Sequence, residues 1–166
     1  MGGDHILPAL QRYLELFERR HLSLMLARDW HRYDHCSFKL QGGSWPDHCV
    51  AGTFGAMSPS SFRTPPGAIV IDKAFNRWQH SHSAFQDTCL DRYLRILMVR
   101  RLFIGGLATD YGVLSSVKDA RALGYEVCLL MDGIKAMNLQ PDDGRRAEEE
   151  MISLGAMPVR WEMIHT

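Results

Sequence analysis

The sequence predicts an α/β domain, a parallel sheet with helices on both faces, and three observations carry that expectation. Short apolar runs recur at residues 22–27, 68–71, 102–107, 126–131 and 157–161, the length of buried strands rather than of helices. Between the later runs, residues 90–99, 110–123 and 142–154 repeat apolar side chains at helical spacing. The last two patterns stop at Gly124 and Gly155, and glycine closes helices because it enters the left-handed region at no steric cost. Strands alternating with helices at this spacing pair in parallel under crossover helices.

Taken in order, residues 4–20 form a helical pattern in which Ile6, Leu7, Leu10, Leu14, Leu16 and Phe17 recur at helical spacing. The run at 22–27 follows as a first strand. Residues 28–66 carry little periodicity and hold Gly42-Gly43, Trp45-Pro46 and Pro65-Pro66; an irregular stretch that long in a compact domain usually carries function. The runs at 68–71, 102–107, 126–131 and 157–161 are the remaining strands. Repeats and low-complexity linkers are absent, so residues 1–166 read as one domain. Doubly wound domains commonly open on a strand, whereas this chain opens on two glycines and a helix.

Bulk properties exclude some classes. Nineteen basic residues balance nineteen acidic ones, which gives no reason to propose nucleic acid or a membrane surface as a partner. Apolar runs fall short of the roughly 20 residues of a membrane span, and the N-terminus lacks a signal pattern. Cys36, Cys49, Cys89 and Cys128 show no CxxC spacing, so a reduced, cytoplasmic protein with free thiols is expected.

Two stretches carry chemistry. The first runs from Ile104 to Val113, an apolar strand turning sharply into a helix start. Such a junction exposes backbone N–H groups at the C-terminal edge of a sheet, where α/β folds bind ligands and stabilise negative charge. A thiol in the first turn would be acidified into a nucleophile; here the position holds Gly112. The second is a metal constellation. Asp29 and His31 follow the first strand on one side of an extended segment, with His35 and His48 nearby in sequence. One carboxylate and two or three imidazoles suit zinc, iron or manganese with open positions left. The plain alternative is that eight histidines in 166 residues cluster by chance.

The motifs Asp29-Trp30-His31, His35-Cys36-Ser37-Phe38, Trp45-Pro46-Asp47-His48-Cys49, Ser83-Ala84-Phe85 and Gly106-Leu107-Ala108-Thr109-Asp110-Tyr111 resemble, in this order, those of the nicotinamidases of the isochorismatase-like cysteine hydrolases. The resemblance runs from Gly2 to about Met157. It implies a three-layer sandwich and the hydrolysis of nicotinamide to nicotinate and ammonia in NAD salvage. It implies metal ligands Asp29, His31 and His48, with His35 or the nearby Ser37 as a further contact, and zinc ahead of iron or manganese. The metal would orient the pyridine ring. Lys73 matches the lysine of the catalytic triad, Trp45 and Phe85 would flank the ring, and Ala108 with Thr109 matches the oxyanion turn, with a cis peptide expected before Thr109.

Two departures weigh against turnover. The family's nucleophilic cysteine is Gly112 here, and glycine cannot attack a carbonyl. The family's first strand, which ends on the aspartate base, has no counterpart in these residues. The resemblance therefore implies either an impaired amidohydrolase or a non-catalytic protein that binds a metal and a pyridine-type ligand, or a partner chain. A truncated polypeptide fits either reading. The gap should leave unpaired sheet edges and apolar surface, favouring a homo-oligomer. Cys49 and Cys128 are the nearest substitute thiols. Without the motifs, Lys73 reads as a solvated lysine, Trp45 and Phe85 as core aromatics, Asp110 as a helix cap, Asp132 as a strand end, and Trp78, His80 and His82 as a solvated loop.

Overall fold

The computed structural model describes residues 2–165. Its strands are β1 (Met25–Asp29), β2 (Ile69–Lys73), β3 (Arg101–Leu107), β4 (Glu126–Lys135) and β5 (Met157–Val159), and every pairing between them is parallel. Helices α1 (Leu7–Arg19), α2 (Leu90–Ile96), α3 (Leu114–Ala122) and α4 (Asp143–Ser153) lie between or ahead of them. The predicted class is the observed one. The sheet, however, divides: β1 pairs with β2, and β3, β4 and β5 pair in that order, with no ladder joining the two groups among the described residues.

Two apolar layers sandwich the strands. On one face Val117, Ala120, Leu90, Leu94 and Met151 from α2, α3 and α4 pack on Val127 and Leu129 of β4, and Ile71 of β2 joins the same cluster. On the other face Tyr13 and Phe17 of α1 meet Phe103, Cys128 and Leu130. Alternate residues of β4 thus feed opposite layers, as a strand buried on both faces requires. The Tyr13 hydroxyl donates to Asp132 Oδ1 at 2.5 Å, which fixes α1 to the sheet.

Four expectations need correction. The first strand lies at Met25–Asp29 rather than 22–27, because Leu22 and Ser23 are exposed and follow a left-handed His21. The helix expected over 110–123 is broken into a π turn at Thr109–Val113 and α3. Asp132 does not end β4, which continues to Lys135. There the register with β3 jumps from Ile104↔Leu129 to Gly106↔Ile134. Two glycines lie at this irregularity: a Cβ on Gly133 would sit 3.0 Å from Leu10 Cδ2, and one on Gly105 would lie 2.8 Å from the same atom. These glycines admit α1 rather than turning the chain. The last strand stops at Val159, and Trp161–Met163 form a single 3₁₀ turn.

Candidate active site

Strands β1, β2 and β3 deliver their C-terminal ends to one place, the edge where open α/β sheets bind ligands. Asp29 and Lys73 are register partners at the ends of β1 and β2. Lys73 Nζ donates to Asp29 Oδ1 at 2.5 Å and lies near the Ser81 carbonyl at 3.5 Å. The lysine is buried and the aspartate about one-third exposed. Lys73 is therefore no solvated lysine.

Beyond β1 the chain stays close to itself, since His31 bridges Val50 and Phe38 bridges Trp45. That doubling back gathers three imidazoles. The His31 ring lies 4.5 Å from His35 and 4.7 Å from His48, and the buried Phe38 ring meets all three within 6 Å. Each Nδ1 already has a partner: the His48 carbonyl for His31, Ser37 Oγ for His35 and the Pro46 carbonyl for His48. Such bonds fix ring orientation and leave Nε2 for another partner. His35 Nε2 is buried without one. Burial, reinforced by the neighbouring histidines, lowers His31 to about 4, and burial lowers His35 as well. Neutral imidazoles are the form that binds metal. As the side chains stand, no three His, Cys, Asp or Glu donors among the described residues converge on one point. The donor set itself, one carboxylate and three neighbouring imidazoles, is of the chemical kind that holds a divalent ion.

The β3 end supplies the opposing wall. A non-proline cis bond lies at Leu107–Ala108, one bond earlier than expected. The amides of Tyr111 and Val113 both return to the Ala108 carbonyl at 3.1 Å. Asp110 and Gly112 lie in the first turn of this π segment, at a helix start, where backbone N–H groups point out toward the strand ends. Thr109 is buried and its hydroxyl has no partner. A Cβ on Gly112 would lie 3.3 Å from the Leu107 carbonyl and 3.5 Å from that of His82. A side chain would fit there with small adjustment, but the chain has none.

The expected residues divide accordingly. Asp29, His31, His35, His48, Lys73 and Trp45 come together, and Trp45 reaches the β3 turn through Tyr111, 5.5 Å ring to ring. Phe85 does not join them: its ring neighbour is Tyr125 at 6.0 Å, and it packs on the core. Asp110 is not a helix cap, because its carboxylate accepts the amides of Met137 and Asn138 and clamps the loop after β4. Cys49 and Cys128 are not activated, since burial pushes both thiols up. Tyr111 was not singled out from the sequence, although it lies between Trp45 and His82 (5.6 Å). Its position inside the strand–turn motif was the available signal.

Comparison with known proteins places this geometry. The model of the Isochorismatase domain family matches residues 1–163. The nicotinamidase of Escherichia coli K12 is 34% identical over 93% of this chain and 82% of its own length. A pyrazinamidase of Pyrococcus horikoshii, solved in complex with zinc, is 38% identical with a TM-score of 0.92, over 97% of this chain and 88% of that one. PnC1 of L. infantum, solved in complex with nicotinate, is 28% identical with a TM-score of 0.84, over 98% and 82%. The chain belongs to the isochorismatase family, on its nicotinamidase and pyrazinamidase branch.

Proposed function

We propose that this chain is a nicotinamidase-type amidohydrolase scaffold, housed in a reducing cytoplasm, that binds a divalent metal and a pyridine carboxamide but turns it over slowly or not at all. The observation that carries the reading is Gly112. The turn after β3 and the buried lysine are in place, yet no side-chain atom at that position can form an acyl bond.

Zinc, held by Asp29, His31, His48 and His35, would supply a charged anchor and Lewis acidity for the ring end of the ligand. Trp45 lies 6.2 Å from His48 and 5.5 Å from Tyr111, ring to ring, so this aromatic pair would pack against the ligand's ring from one side. The amides of Asp110 and Gly112, in the first turn after β3, would face the carboxamide oxygen. Asp29 is committed to Lys73, and Asp110 to the backbone of 137 and 138. Neither acid is free to take up a proton from an attacking group.

The test is ammonia release from nicotinamide by the zinc-loaded chain, measured beside nicotinate binding by calorimetry. Binding without ammonia above the chelated control is the expected result. Turnover at a rate ordinary for such enzymes would overturn the reading. An impaired enzyme with residual turnover is the second form of this proposal, favoured by the intact Lys73–Asp29 pair.

A further inference from the structure

Three helices end at the same edge of the sheet, and one of them ends differently. Through short connections α2, α3 and α4 lead into β3, β4 and β5 at the N-terminal ends of those strands, opposite the candidate site. Each closes with the same pair of backbone bonds. In α3 the amides of Gly124 and Tyr125 return to the carbonyls of Arg121 and Ala120, and in α4 those of Gly155 and Ala156 return to Ile152 and Met151. In α2 the amides of Met98 and Val99 return to Arg95 and Leu94. The motif needs a left-handed residue at its corner, and glycine holds that corner in α3 and α4 at φ 91° and 89°. In α2 the corner is Met98 at φ 54°, a conformation that crowds a Cβ. Packing does not offset the strain, since Met98 is 84% exposed.

The surroundings of Met98 are apolar at the tip and cationic around it. At the helical repeat of about 3.6 residues, Ile96 stands on the side of α2 opposite the buried Leu90 and Leu94, and it is 64% exposed. Leu97 is exposed beside it. Residues 91–101 hold four arginines and one aspartate. Arg95 and Arg101 are paired, with Asp91 and Glu126. The exposed Arg92 and Arg100 have no side-chain partner among the described residues. The surface runs on toward α3 through a shallow cleft of about 240 Å³ lined by Arg95, Val99, Arg100, Leu123 and Tyr125. The balance of charge over the whole chain gives no reason to expect a membrane partner; its placement at this edge does.

We propose that the end of α2 is a docking face for an anionic lipid bilayer, with Ile96, Leu97 and Met98 entering the headgroup region and Arg92 and Arg100 meeting lipid phosphates. Charge complementarity fixes that occupant. Unpartnered arginines around a projecting apolar tip call for a surface that is negative outside and apolar behind, and a bilayer with anionic headgroups supplies both. The guanidinium fork suits the phosphate oxygens. A second copy across a two-fold axis would set arginine against arginine. A nucleic acid would satisfy the arginines and leave the tip in water. Three apolar side chains and two unpaired cations make a weak, reversible and salt-sensitive contact. The face lies at the strand ends opposite the candidate site, so the inference is independent of the proposed catalytic reading.

Co-sedimentation of the full chain with lipid vesicles tests it, using phosphatidylcholine alone and an equal mixture of phosphatidylcholine and phosphatidylglycerol. Partitioning onto the mixed vesicles at low salt should exceed that onto phosphatidylcholine at least about tenfold, and ~0.5 M sodium chloride should remove the difference. Met98→Gly keeps the helix corner, because glycine suits it, and should lower partitioning at least about fivefold. Arg92→Gln combined with Arg100→Gln changes only exposed side chains and should lower it by a similar factor. Absence of partitioning, equal partitioning onto both vesicles, or parent-like partitioning of either variant overturns the proposal. So does a dimer of the free chain that Met98→Gly dissolves, which would give the face to a second copy. Tighter binding to a helical peptide of repeated Leu-Glu-Glu than to the mixed vesicles would give it to an acidic protein and overturns the proposal too.

Discussion

Lys73 Nζ and Asp29 Oδ1 meet at 2.5 Å across the ends of adjacent strands, the ammonium buried and the carboxylate about one-third in water. The asymmetry of burial sets the outcome of removing either partner. Asp29→Ala strands a buried cation and should cost about 2 kcal/mol, discounted from the fully buried case because the carboxylate is partly solvated. Lys73→Met leaves an acid that water can reach and should cost less. Urea melts of the two variants check the order, and equal losses would show that the lysine has another means of solvation.

Metal binding should depend on the gathered imidazoles. His31→Ala or His48→Ala should abolish stoichiometric zinc after dialysis, read by elemental analysis, whereas His80→Ala, on the exposed loop, should retain it. Unchanged zinc in the first two variants would remove these residues from the ligand set.

Gly112→Cys should fold, because the new Cβ meets only the Leu107 and His82 carbonyls at ordinary or slightly short distance. It should not regain ordinary ammonia release, because Asp29 and Asp110 are both committed elsewhere. The expected result is thiol labelling at residue 112 with turnover still lower by about a hundredfold or more than a complete site with its base would give. Ordinary rates from this one change would show that a base is already present.

Alkaline stability should report Tyr125. Burial, helped by the bond its hydroxyl donates to Asp91, pushes this phenol up to about 12 from 10. The unfolded chain loses the proton first, so the contribution is full below pH 10 and is lost as pH rises toward 12. Tyr125→Phe should flatten the fall in stability across that window in denaturant melts; an unchanged slope would assign the effect to other groups, Tyr13 among them, whose phenol is also pushed up by burial and Asp132.

Much of the fold was legible because strands and helices here obey their own periods. The β3 run and the helix closures at Gly124 and Gly155 stand where the apolar spacing puts them. What was not legible depends on partners distant in sequence. Asp132 reads as a strand end until β4 is seen to continue to Lys135, and Asp110 reads as a cap until the chain at 137–138 folds over it. The residues gathered at the strand ends, Asp29, His31, His35, His48 and Lys73, were legible as a group from their motifs. Their present commitments were not, since the Lys73–Asp29 pair spans 44 residues and Phe85 faces the core through Tyr125.

The Ser116 hydroxyl donates to the Gly112 carbonyl at 2.7 Å and accepts the Ala84 amide at 2.9 Å. Two walls that approach from different parts of the chain are thereby riveted through one small side chain. Any movement of one wall must therefore carry the other, the 81–88 loop with the Gly112 turn, which makes Ser116→Ala the substitution that uncouples them.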